Sequence, residues 1–134
     1  MRDQIQDNFY RDEFACKGKN CCGHSAPINP TLVASLQLLR NRLKTKLERE
    51  VKIKINSGFR CEKHNASKKV GGSPDSQHCK GLAADISAKG IPVSVLYEQA
   101  LSISVFAEGG IGLYKNRIHV DVRTNGHARW EDFS

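Results

Sequence analysis

Long apolar runs are missing from this 134-residue chain: no stretch approaches the roughly 18 consecutive apolar residues of a bilayer span, which excludes membrane insertion. The opening segment, MRDQIQDNFYRDEF, lacks the apolar core of a secretion signal, so the chain is expected to be made in the cytoplasm and to leave it only by an outside route. Aromatic residues are scarce, at 7%, and no block of lysine and arginine is long enough to track a phosphate backbone, so nucleic acid is not the expected partner. The net charge of +7 suits a milder inference, an acidic polymer, and raises encounter rate more than specificity. Repeats, low-complexity tracts and linkers are also absent, and the length is that of one domain, 1–134, expected as a monomer. Cysteine is present in odd number. Five cannot pair completely within one chain, and with no export segment this leans toward a reducing compartment.

What is present is periodic. Phe9, Tyr10 and Phe14 are apolar anchors able to tie the N-terminus to a core, and the turn-rich CKGKNCCGHSAPINP that follows is read as a loop. Leu32, Leu36, Leu39, Leu43 and Leu47 then recur every three or four residues with basic residues opposite, which predicts an amphipathic helix capped by Asn29 with Pro30 in its first turn. VKIKIN alternates Val51, Ile53 and Ile55 with lysines, the period of a strand with one wet face. Ser57–Gln77 is rich in Gly, Ser, Asn and Pro and reads as an ordered loop or a short helix between loops. LAADI enters a second strand, PVSVLYEQALSISVF forms a second helix, and GGIGLY and RIHVDV are two strands joined at Lys115-Asn116. The order helix, strand, strand, helix, strand, strand predicts an α+β fold, a small and mostly antiparallel sheet with flanking helices.

The chemistry concentrates in two stretches. In RIHVDV, Ile118, Val120 and Val122 share one face, so Arg117, His119 and Asp121 share the other. In SQHCKGLAAD, His78 and Asp85 stand at the two ends of a turn into a strand, among small residues that would let a substrate backbone approach. His78, Asp85 and His119 together make the three-ligand set of a catalytic Zn²⁺, whose fourth position holds water. The same residues also suit a turn cap and a salt-bridged strand end, and spacing does not choose between these.

SQHCKGLAAD fits the pattern S-x-H-x-x-G-x-A-x-D throughout, and INSGFRCEKHN, VGGSPDSQH, GGIGLY, IHVDVR and ARW follow in order. In these blocks the chain resembles the zinc D-alanyl-D-alanine carboxypeptidase family, which includes cell-wall peptidases, vancomycin-resistance dipeptidases and phage endolysins, and within it the small single-domain branch with a hedgehog/DD-peptidase-like fold. The resemblance implies that His78, Asp85 and His119 bind zinc and that Arg60, in SGFR, faces the substrate, where a fixed cation stabilises an oxyanion. It implies hydrolysis of an amide bond in a peptidoglycan stem peptide by zinc-activated water, as a carboxypeptidase or endopeptidase. A phage lysin released through a holin is one such enzyme.

One position departs from the family pattern. Members often carry a histidine two residues before the third ligand, or an acidic residue a few positions before it, as general acid/base; here Arg117, Asn116 and Lys115 stand there. Asp121 is the first replacement, either as the acid/base or as a carboxylate orienting a ligand or Arg60, with Glu108, His127 and His64 behind it. The alternative function is a catalytically inactive, zinc-stabilised binding module of the same fold, as in the hedgehog signalling domain. Cys16, Cys21, Cys22 and His24 gather in one loop and are a candidate set for a second, structural zinc, but CxxxxCCxH is not a standard zinc spacing, so buried free thiols are the first expectation, or a disulfide from Cys61 to that loop if the protein works outside the cell.

Overall fold

The computed structural model describes residues 2–68, 70–73 and 75–134, so that Lys69 and Pro74, in the loop expected over Ser57–Gln77, lie outside the described residues. A short hairpin, β1 (Gln4–Gln6) and β2 (Phe9–Tyr10), is followed by a 3-10 turn over Arg11–Phe14 and then by α1 (Pro30–Leu47). The helix begins where its sequence places it: the Asn29 side chain accepts the Thr31 N–H at 2.8 Å, satisfying a donor that the first turn leaves without an intrahelical partner. Leu32, Leu36, Leu39 and Leu43 are wholly buried, each contributing roughly 2 kcal/mol by leaving water. Phe9 and Phe14 are buried beside them, their rings 6.1 Å apart, and anchor the N-terminus as expected.

The central sheet has five strands, β3 (Ile53–Ser57), β4 (Ala83–Ala88), β5 (Gly110–Tyr114), β6 (Ile118–Asp121) and β7 (Ala128–Asp132), in the order β3-β4-β6-β5-β7. Its first three pairings are antiparallel and β5 with β7 is parallel, so the α+β architecture with a mostly antiparallel sheet is the one observed. Ala84, Ile86, Ile111, Ile118 and Val120 face the helices and close one core with α1 and α3 (Val93–Leu101). Among the described residues, no helix is long and apolar enough to cross a membrane.

Two features differ from the sequence expectation, the second helix and the last strand. The second helix is two, α3 and α4 (Ser104–Ala107), because the chain breaks at Ser102: its hydroxyl donates to the Gln99 carbonyl at 2.6 Å, and Ile103 turns extended to reach the core. The loop after β3 does contain the short helix that its sequence allowed, α2 (Glu62–Asn65), and ends in a 3-10 turn over Gln77–Lys80. β7 has no apolar alternation; it is an edge strand held by its backbone ladder to β5, which periodicity does not register.

The small residues of SQHCKGLAAD have an internal reason. Gly81 ends the 3-10 turn in the left-handed region (φ +70°), and a side chain there would meet the Pro27 carbonyl oxygen at 2.6 Å. The backbone that comes close is the chain's own, with Asn29 N–H bonded to the Gly81 carbonyl, and Ala84 belongs to the core. This corrects the expectation that these residues clear a path for substrate. Gly81→Ala should accordingly destabilise the fold by about 1–3 kcal/mol through overpacking and backbone strain, read as a lower urea midpoint; an unchanged midpoint would show that the turn can relax.

Candidate metal centre

Strand register builds the site. Ser57, Asp85, His119, Gly112 and Trp130 form one row across β3, β4, β6, β5 and β7. Asp85 and His119 are therefore direct cross-strand neighbours on the face opposite the core, the closest placement two side chains in a sheet can have. His78 enters from the 3-10 turn before β4. Ser76 caps that turn by accepting the His78 N–H at 3.2 Å, and Gly81 reverses the chain into the strand.

The donor atoms converge. His78 Nε2 lies 3.3 Å and His119 Nδ1 3.1 Å from Asp85 Oδ1, and the three groups offer ligand atoms all within 4.8 Å of one another. Tetrahedral zinc with nitrogen and oxygen ligands at about 2.0–2.1 Å separates neighbouring ligand atoms by about 3.3 Å. Both imidazoles have their remaining nitrogen engaged. His78 Nδ1 is 2.7 Å from the Gly58 carbonyl, and His119 Nε2 is 2.7 Å from Asp121 Oδ2. Such partners fix which nitrogen turns to a cation, so the set has the chemistry and the orientation that a divalent ion requires. Burial opposes the charge on Asp85, but hydrogen bonds from His119 and His78 outweigh it and hold the carboxyl below its ordinary range.

Asp121 is behind His119 and has no accessible surface. Its Oδ1 accepts from the Gly110 N–H at 2.8 Å and from Arg123 Nε at 2.9 Å, and Arg123 Nη2 meets Oδ2 at 2.7 Å. Burial raises its pKa, yet the bonds from His119 and Arg123 win and keep it ionised. A carboxylate held this way positions an imidazole and has no direct contact with solvent. Of the two roles weighed for Asp121, this geometry fits the orienting one and disfavours acid/base exchange. The weaker candidates stand apart from the triad: Glu108 caps α4 and lines a different cavity, His127 is exposed, and His64, in α2, faces the cavity beyond Arg60.

The open side of the triad is a cleft of about 780 Å³. Arg60 forms one wall. Its Nη2 is 3.2 Å from Ser76 Oγ, while its Nε is buried without a hydrogen-bond partner among the described residues, and burial lowers the pKa of the guanidinium. Lys80, Arg117 and Arg123 add positive charge around the cleft, and Asp75 and Asp132 are its other carboxylates besides Asp85 among the described residues. Gly71 and Gly72 line it as well.

Two participants were not singled out from sequence. Trp130 packs against His119 in a tilted arrangement, ring centroids 4.9 Å apart, and donates from Nε1 to Tyr114 Oη at 2.8 Å. It reaches His119 across Gly112, where a Cβ would stand 2.3 Å from the indole. Arg123 is the second, clamping Asp121. The signals were the chain's sole tryptophan in a polar segment and glycines at alternate positions in GGIGLY: Gly110 leaves room for Asp121 and Gly112 for Trp130.

Asp121→Asn tests the orienting role. Metal affinity should fall about 10–100-fold, read by competition with a chromophoric chelator, and activity should return at saturating metal. Activity that stays depressed with metal fully bound would instead assign Asp121 to proton transfer.

A family model described as peptidase M15 matches residues 7–121, taking in β2 through β6 and all three triad residues. No curated protein matches the chain. The match spans most of the sequence and agrees with the α+β fold and the convergent His, Asp, His donors, and on that ground the chain is a member of the peptidase M15 family.

Proposed function

We propose that this peptidase is zinc-dependent and hydrolyses an amide bond in the stem peptides of peptidoglycan. The observation that carries the proposal is the triad itself: His78 Nε2, Asp85 Oδ1 and His119 Nδ1 meet at the floor of a basic cleft with their outer nitrogens already engaged. When bound there, zinc supplies Lewis acidity, polarising a carbonyl and lowering the pKa of water to about 7. The chain's own residues do the rest. His78 and His119 are held in the donating orientation by Gly58 and Asp121. Trp130 covers one side of His119 and limits water around it. Arg60, stripped of part of its hydration and with Nε unpartnered among the described residues, presents positive charge to the oxygen that becomes anionic during amide hydrolysis. The surrounding cations suit a substrate that carries carboxylates, as stem peptides do. The place of action is then the cell wall.

A second reading, binding without hydrolysis, draws on one observation: with Asp121 enclosed, the cleft carboxylates outside the triad are Asp75 and Asp132 among the described residues. Digestion of purified peptidoglycan separates the two. The peptidase reading expects new amino groups and lower-mass muropeptides, abolished by a chelator and restored by zinc. Sedimentation of zinc-loaded protein with the polymer but no released peptide across the pH range would replace it with the binding reading.

A further inference from the structure

The loop that sequence spacing left as free thiols closes on a residue far away in the chain. Cys16 follows the 3-10 turn at Arg11–Phe14, Cys21 and Cys22 lie in the next turns, and Cys61 caps α2 directly after Arg60. Their sulfurs form a compact group: Cys16 to Cys61 is 3.9 Å, Cys16 to Cys21 4.0 Å, Cys21 to Cys22 4.0 Å, and all four lie within 4.8 Å of one another. A disulfide would require about 2.05 Å, and all five cysteines are free. A tetrahedron of thiolates around zinc at about 2.3 Å has edges of about 3.8 Å, close to the separations seen here.

We propose that Cys16, Cys21, Cys22 and Cys61 bind a structural zinc ion, separate from the His78, Asp85 and His119 centre. Four sulfur ligands leave no open position, which is the arrangement of a structural rather than a catalytic site. Backbone donors already point at two of the sulfurs: the Ser25 N–H at 3.4 Å from Cys22 Sγ and the His64 N–H at 3.5 Å from Cys61 Sγ. Donors of this kind stabilise thiolate charge, as partners around metal ligands commonly do. Gly18 is required by the same packing, since a Cβ there would stand 2.7 Å from Cys21 Sγ. Lys17, Lys19 and Lys63 line the cavity beside Cys21 and offset the excess negative charge of a zinc tetrathiolate.

His24, grouped with these cysteines from its position in sequence, is not a ligand; its Nδ1 lies 2.8 Å from the Cys16 carbonyl oxygen. The fourth ligand comes instead from Cys61. The fifth cysteine, Cys79, sits next to His78 and outside the cluster, which accounts for the odd number. The consequence is mechanical. The ion would tie the N-terminal loop to the cap of α2, and so fix the backbone that carries Arg60 into the cleft.

The test uses the full chain, produced with zinc and purified under reductant. Metal analysis should give about two zinc ions per chain, falling by one in His119→Ala and by one in the double variant Cys21→Ser/Cys22→Ser. Titration of wild type with a mercurial thiol reagent should release one zinc as four thiols react, while Cys79 reacts without releasing metal. Should the double variant fail to fold, cobalt in His119→Ala decides, because bound thiolates give intense near-ultraviolet charge-transfer bands and a carboxylate and imidazole site does not. Absence of those bands, all thiols free to react in the folded wild type without zinc release, a disulfide among the four cysteines, or iron in place of the second zinc would each overturn the proposal.

Discussion

His119→Ala is expected to lose the cleft metal and to bring peptidoglycan hydrolysis down to the level of chelated wild type. The residue has three functions in the geometry: Nδ1 faces Asp85, Nε2 engages Asp121, and the ring supports Trp130. Removing it leaves two ligands, too few for a catalytic zinc site. The fold should survive, because His119 is on the sheet face opposite the core and Asp121 keeps its two bonds to the Arg123 side chain. Metal analysis paired with circular dichroism makes the check. A folded variant with undiminished metal would remove His119 from the ligand set.

Arg60→Ala should retain metal and lose about 10²–10³-fold in kcat, the usual effect of removing a group that stabilises an oxyanion. The basis is a guanidinium at the cleft wall that burial has partly desolvated and whose Nε has no hydrogen-bond partner among the described residues. Steady-state kinetics on a synthetic stem peptide distinguish two ways of using this charge. A fall in kcat with little change in KM means that the interaction develops in the transition state. A rise in KM at constant kcat would mean that Arg60 holds a ground-state carboxylate. Arg60→Lys should recover only part of the loss, since an ammonium lacks the planar donor fork.

The cleft and the cysteine cluster meet at neighbouring residues. Arg60 N–H bonds to the His78 carbonyl at 3.2 Å, and Phe59 N–H to the Phe14 carbonyl at 2.8 Å, so SGFR is pinned to the turn carrying His78 and to the N-terminal segment. Gly58 allows this, since a Cβ there would stand 2.7 Å from the Phe14 backbone. The position of the Arg60 guanidinium thus depends on backbone contacts from two other parts of the chain.

The sequence by itself determined the elements that carry strong periods and the residues that make up the candidate metal centre. The leucines of α1, the alternation in β3 and β6, and the order of His78, Asp85 and His119 within a recognisable set of blocks were all legible, because burial of one face writes a period into the chain. Tertiary structure alone decided what meets across the sheet. Whether Asp121 reaches solvent or supports a ligand depends on Arg123 and on the space at Gly110; whether Trp130 touches His119 depends on register through Gly112; whether Cys61 joins Cys16 depends on how the N-terminal loop packs beside α2. Those contacts link residues far apart in sequence. Their geometry is set by strand register and by which backbones can approach without a side chain between them; glycines such as Gly110 and Gly112 mark where an approach is possible, but no local pattern names the partner.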